Sequence, residues 1–203
     1  MMFIMKQIIG QNIQVLDLPG WNFNVQSGEC VYLSGPSGSG KTVLLRAVAD
    51  LDPHQGMVEL DGVSTNSMPA HDWRRKVALV PAETHWWSAT VAGHMQAPDE
   101  ELLAELGFEP GVLAWEVARL SSGEKQRLGF LRALQQNPEV LLLDEPTANL
   151  DSQYTAAIER YVAGLCERQG MAVIWVTHDS EQQQRIARRG WQITPEAISE
   201  VML

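Results

Sequence analysis

The stretch Gly35-Pro36-Ser37-Gly38-Ser39-Gly40-Lys41-Thr42 decides how the rest of the chain is read. It follows the apolar run Cys30-Val31-Tyr32-Leu33-Ser34, a short strand by composition, and precedes Val43-Leu44-Leu45-Arg46-Ala47-Val48-Ala49, a helix. Glycines let the backbone curl until successive N–H groups point inward, and the helix N-terminus behind them adds partial positive charge. A strand, a loop of this kind and a helix together make a cradle for phosphate. Lys41 can reach the β- and γ-phosphates as a point charge, and the Thr42 hydroxyl can ligate Mg²⁺.

Working outward, the flanks alternate between strand and helix patterns. Residues before 29 read as two or three antiparallel strands punctuated by Leu18-Pro19-Gly20 and Ser27-Gly28. The helix after the loop is expected to stop near Asp52-Pro53, and Met57-Val58-Glu59-Leu60 with Asp61-Gly62 reads as a strand and tight turn. Further strands are expected over 76–80, 140–143 and 172–176, the last two wholly apolar, as in a parallel sheet buried on both faces. Helices are expected over 100–106, 121–136, 152–169 and 181–189, with short closing strands at 191–193 and 198–201. The pattern implies an α/β fold, a mostly parallel sheet with an antiparallel N-terminal β flank.

At 203 residues and 45% hydrophobic content the chain can bury a core as one domain. Residues 1–81 and 138–203 would form that core, and 82–137 a shortened helical subdomain. The formal net charge of -10 argues against a protein built to grip nucleic-acid backbones. Two cysteines, Cys30 and Cys166, lack metal-site spacing and read as free thiols suited to a reducing compartment. No apolar run approaches the roughly 20 residues needed to cross a bilayer. The start Met1-Met2-Phe3-Ile4-Met5-Lys6 is too short for a signal segment. A soluble, cytoplasmic chain is the expectation.

Two later stretches carry chemistry. Leu141-Leu142-Leu143-Asp144-Glu145 puts two acids at the carboxyl end of a buried strand, where open α/β sheets bind ligands. Asp144 suits the metal, and Glu145 can polarise an attacking water. In Leu120-Ser121-Ser122-Gly123-Glu124, Ser121 and Glu124 make a capping box, and Ser121-Ser122-Gly123 is a second anion site at a helix N-terminus. One nucleotide does not need two such sites on one chain. Two copies packed head to tail do, each lending this segment to the other's γ-phosphate.

On these motifs the chain resembles the ATP-binding cassette (ABC) ATPases over nearly its whole length. The phosphate loop matches Walker A, 140–144 with Glu145 matches Walker B and the catalytic glutamate, and Leu120 to Glu124 is similar to the LSGGQ signature. Ala148-Asn149-Leu150-Asp151 resembles the D-loop, and His178, in Val176-Thr177-His178-Asp179, the switch histidine. The resemblance implies a P-loop NTPase that binds ATP with Mg²⁺. Lys41, Glu145 and His178 would be catalytic, residues 35–42 would hold the triphosphate, and Ser121, Ser122, Gly123 and Asp151 would act in trans. Asp151 also reads as a cap of its own helix.

Two departures stand out. The position of the family's metal-linking glutamine holds Ala82, with Glu83 beside it as an alternative ligand, and no aromatic between Phe3 and Trp21 is placed to stack on adenine. The adjacent Trp86 and Trp87 point to opposite sides of an extended chain, so at least one is expected to meet a partner. The resemblance, closest in style to compact bacterial ATPases of metal- or iron-export systems, implies a homodimer on ATP binding and a separate integral-membrane permease. The chain would then sit on the inner face of the cell membrane. A soluble ABC ATPase acting on nucleic acid or ribosomes, and a degenerate ATP-binding scaffold, remain the alternatives.

Overall fold

The computed structural model describes residues 7–96 and 98–203, so the apolar start at 1–6 lies outside the described residues. In chain order, β1 (Gln7–Gln14) and β2 (Trp21–Gln26) form a hairpin, and β3 (Cys30–Ser34) runs through the phosphate loop into α1 (Lys41–Val48). Then come β4 (Gln55–Leu60), β5 (Val63–Ser64), α2 (Ala70–Lys76) and β6 (Val77–Val80). The chain continues with α3 (Glu100–Glu105), α4 (Ser122–Leu134), β7 (Val140–Asp144), α5 (Ser152–Gln169) and β8 (Ala172–Val176). It closes with α6 (Ser180–Ile186), β9 (Arg189–Ile193) and β10 (Ile198–Met202).

The strands divide between two sheets, ordered β2-β1-β4-β5 and β10-β9-β3-β8-β7-β6. β1 is antiparallel to both β2 and β4, so the small sheet closes without β3. β3 instead lies between β8 and β9, parallel to each, and β8 in turn pairs parallel with β7. Among the described residues only β10 runs antiparallel within the larger sheet. This is the α/β architecture with an antiparallel flank that the sequence pattern implies.

Alternation along the central strands builds two cores. Val140 and Leu142 of β7 and Ile174 and Val176 of β8 face one cluster, with α1 and the small sheet. Leu141, Leu143, Val173 and Trp175 face the other, with α4 and α5. Side chains of a strand point alternately to its two faces, so only an unbroken apolar run serves a sheet covered on both. α5 ends at Gly170, whose left-handed φ of 66° turns the chain back into β8.

Boundaries shift where terminal turns fray or short helices go unseen. α1 stops at Val48, before Asp52-Pro53, and α6 covers Ser180–Ile186, leaving Arg189 to start β9. α2 had no counterpart in the sequence reading. It buries Trp73 completely, with Nε1 donating 3.0 Å to the Val48 carbonyl. Among the described residues between β6 and α4 the one α-helix is α3, whose N-cap Asp99 accepts from the Leu102 N–H. Cys30 and Cys166 are free thiols, the second buried.

Candidate nucleotide site

The carboxyl ends of β3, β8 and β7 lie side by side, which gathers the motif residues at one edge of the large sheet. At the end of β3, Gly40 takes a φ of 90° at the N-cap of α1, and a Cβ there would sit 2.4 Å from Leu18 Cδ1. Only glycine meets both demands. Lys41 is 8% exposed, and its Nζ donates to the carbonyls of Gly35 and Pro36 at 2.9 Å each. No carboxylate pairs with this ammonium among the described residues. The loop therefore holds a buried ammonium hydrogen-bonded to carbonyls, with the Asp144 charge acting on it without a direct pair, a site shaped for an anion. Pro36, Ser37 and Gly38 are exposed at its mouth, and the Ser39 hydroxyl is buried without a protein partner.

β7 delivers the acids. Thr42 Oγ1 donates 2.7 Å to Asp144 Oδ2. Burial pushes the Asp144 carboxyl up, and the Glu145 charge adds to this; the Thr42 bond, the Lys41 charge and the Ala82 N–H oppose it. Among the described residues no cluster of three or more His, Cys, Asp or Glu could cage a metal by itself. A hydroxyl and one carboxylate beside a phosphate cradle are the hard oxygen donors that Mg²⁺ accepts when phosphate oxygens complete its shell, so these residues fit that ion.

Glu145 adopts a left-handed φ of 47°, its N–H donating 3.1 Å to the Val176 carbonyl. His178 Nδ1 stands 3.5 Å from Glu145 Oε1, with the histidine side chain 71% exposed. Gln182, which the sequence reading passed over, is 4% exposed; its Nε2 donates 2.9 Å to both Thr147 Oγ1 and Glu159 Oε1. Asp179 caps α6 through the N–H groups of Glu181 and Gln182, tying the histidine loop to its helix.

The signature segment stands apart from this group. Ser121 and Glu124 form the expected capping box, and the hydrogen bond from the Ser121 N–H holds the Glu124 carboxyl below its usual value. Ser121 and Ser122 are exposed, Gly123 lies against Asn149 and Leu150, and no hydrogen bond joins these residues to the phosphate loop among the described residues. Asp151 occupies the N-cap of α5 without capping it through its side chain, and it is exposed. Ala82 contributes a backbone N–H to Asp144, whereas the Glu83 side chain is exposed and forms no hydrogen bond among the described residues. Leu16 stands in the β1–β2 turn, 80% exposed with a φ of 52°.

The family model described as ABC transporter matches residues 18–148, and the chain belongs to that family. Among curated relatives, it is 32% identical over 174 residues to the probable iron export ATP-binding protein FetA of Escherichia coli, covering 79% of this chain and 77% of that protein. It is 36% identical over 183 residues to Protein STAR1 of Oryza sativa, covering 84% of this chain and 53% of that one. The Fe(3+) ions import ATP-binding protein FbpC of Streptomyces coelicolor is 38% identical over 191 residues, with 86% and 53% covered. The chain thus spans about half the length of STAR1 and FbpC. A solved dimeric post-hydrolysis state of the ATP-binding cassette MJ0796, bound to ADP and Pi, aligns with a TM-score of 0.82 at 26% identity, over 97% of this chain and 98% of that one.

Proposed function

We propose that the chain is the ATP-binding and ATP-hydrolysing subunit of an ABC transporter, dimerising head to tail around two ATP and driving a separate permease. The observation that carries this is the convergence of Lys41, Thr42, Asp144, Glu145 and His178 at one sheet edge, while Ser121–Gly123 stands apart with exposed serines. A half-site of each kind on one chain is completed by a second copy.

In this reading Lys41 exchanges the Gly35 and Pro36 carbonyls for β- and γ-phosphate oxygens, and the N–H groups of 35–42 hold the rest of the triphosphate. Thr42 and Asp144 would hold Mg²⁺, which when bound would supply positive charge to the phosphate oxygens. Glu145 orients a water and takes its proton as the oxygen attacks the γ-phosphorus, with ADP leaving. His178, at 3.5 Å from Glu145, contacts the same water and the γ-phosphate. Ser121, Ser122, Gly123 and Asp151 reach the partner's nucleotide.

No helix among the described residues is long and apolar enough to cross a membrane, so the membrane step falls to the permease. That partner would hold the chain at the cytoplasmic face. Relatives are named for iron export, Fe(3+) import and phosphonates import. Cargo choice then belongs to the permease.

The test is Glu145→Gln with ATP and Mg²⁺. Hydrolysis should be lost while size exclusion shows a stable dimer; a persistent monomer rejects the shared-site reading. Lys41→Ala should abolish nucleotide binding, and wild-type affinity there rejects the loop assignment.

A further inference from the structure

Gln126 lies in the second turn of α4, on the same face as the buried Phe130, in a stretch of the helix that also buries Leu128 and Leu131 on its other sides. A polar residue only 3% exposed on that face needs a reason. Its Nε2 donates 2.8 Å to the backbone carbonyl of Glu145, while its Oε1 is buried without a partner among the described protein groups. Leaving the Oε1 half unsatisfied carries a desolvation cost, and among the described hydrogen bonds only the other half, Nε2, offsets it. That half holds the residue assigned to activate water.

Glu145 needs holding. Its φ of 47° is uncommon outside glycine, and such backbone persists where surrounding contacts over-determine it. Those contacts are its N–H to Val176 at 3.1 Å, and its carbonyl, which accepts from Ala148 at 3.2 Å and from Gln126. The first two come from the sheet and from its own loop. The third comes from the helix that opens on Ser121–Gly123.

We propose that Gln126 is a positioning residue that couples the two nucleotide sites of the dimer, passing engagement of its own signature segment with one ATP to the Glu145 that acts on the other. The inference rests on the head-to-tail reading above. When the N-terminus of α4 docks on the partner's γ-phosphate, the helix and its Gln126 amide settle together. The Glu145 carbonyl follows, and the carboxylate comes into line with its water. Release of that γ-phosphate loosens the same chain of contacts. Hydrolysis at one site is thereby conditioned on occupancy of the other.

The experiment is a double-mutant cycle on the full chain, with kcat and KM for ATP measured for Gln126→Met, Ser121→Ala and both together. Gln126→Met keeps the volume and removes the donor. It should lower kcat by at least about tenfold with KM within about twofold, as expected of misplaced catalytic geometry. In the double variant the two losses should fail to multiply, because they break one pathway. Gln126→Glu supplies a second arm that also serves if the methionine variant does not fold. Its buried carboxyl, when protonated, can donate to the Glu145 carbonyl, so kcat relative to wild type should recover as pH falls. Losses that multiply, an unchanged kcat, or a Gln126→Glu ratio flat with pH overturn the coupling. Dimer formation by Glu145→Gln with ATP, seen alongside, separates the cases. A dimer with multiplying losses removes this inference alone, and a monomer removes the head-to-tail reading beneath it.

Discussion

Thr42 Oγ1 donates a 2.7 Å hydrogen bond to Asp144 Oδ2, joining residues 102 positions apart in the chain. The bond fixes the phosphate loop against β7 and sets two oxygen donors side by side. Thr42→Val keeps the shape and removes one of them. Mg²⁺-dependent ATP affinity should drop by about tenfold, on the scale of one lost hydrogen bond to a charged group, while Thr42→Ser retains it. Titrating fluorescent nucleotide with and without Mg²⁺ reads the effect. Wild-type binding by the valine variant would reject Thr42 and Asp144 as the metal pair.

Leu16 is an exposed side chain in the β1–β2 turn beside the phosphate loop, a position from which an aromatic ring could meet a nucleotide base. The turn that carries it abuts the loop through Leu18, which packs on Gly40, yet Leu16 itself is 80% exposed. An aliphatic side chain there offers no ring to stack on. Leu16→Tyr should tighten ATP by about 1–3 kcal/mol, the usual worth of a base on an aromatic, and raise preference for ATP over nucleotides with smaller bases. Equal affinities for the parent and the tyrosine variant would place the base elsewhere.

Ala82 meets Asp144 through its backbone N–H, with a methyl where a metal-linking amide is expected. Ala82→Gln should raise steady-state hydrolysis several-fold if the missing ligand limits turnover. Glu83→Gln in the parent chain reads the other option: lowered activity there, with no gain from Ala82→Gln, assigns the ligand to Glu83.

Legibility in the sequence followed the range of each interaction. The runs at 140–143 and 172–176 announced buried strands because both faces are covered, and Ser121-Ser122-Gly123-Glu124 announced its capping box because all its partners lie within one turn. α2 went unread because it buries a single side chain, Trp73, and so has no apolar period; its signal was only Asp72 in the first turn and Arg74, Arg75 and Lys76 in the last. Gln126 and Gln182 were invisible for another reason. One bonds a distant backbone carbonyl, which has no sequence signature, and the other a threonine and a glutamate on separate elements.

The adjacent tryptophans differ in burial, but they do not turn to opposite sides: both rings lie against His94 and Arg132. Trp86 packs against the second core and donates 3.0 Å to Thr84 Oγ1, while Trp87 is 75% exposed. His94 lies edge-on to both rings, and the Arg132 guanidinium stands 4.8 Å from one and 5.0 Å from the other. Trp86→Ala should destabilise the chain by about 2 kcal/mol in urea unfolding, below the range for a fully buried ring. Trp87→Ala should cost under about 1 kcal/mol, the exposed cation–π contact being its main loss. If Trp87 meets the permease, its alanine variant should keep hydrolysis in isolation and lose recovery with membranes. Equal destabilisation by the two would reject this difference.

Arg189 is the anchor that ties β9 to the start of β3. Its Nε and Nη2 reach the two Glu29 oxygens at 2.7 and 2.8 Å, and Nη1 reaches Glu200 at 2.7 Å. Burial alone would raise the Glu29 carboxyl, but the Arg189 hydrogen bonds, the Gln26 N–H and the Arg189 charge together hold it below its ordinary 4.5. A carboxyl lowered in the folded state stabilises fully above its unfolded value, and that contribution is lost as pH falls through the folded one. Glu29→Gln should therefore cost about 1–3 kcal/mol at pH 7, the scale for hydrogen bonds to a charged group. The gap to the parent chain should begin to shrink below pH 4.5, where Glu29 of the unfolded chain takes up its proton while the folded one keeps its charge, and close as pH falls through the lowered folded value. Urea midpoints from pH 7 down to pH 3 measure both. A gap that stays constant across that range would mean the ion pair contributes through packing and not through charge.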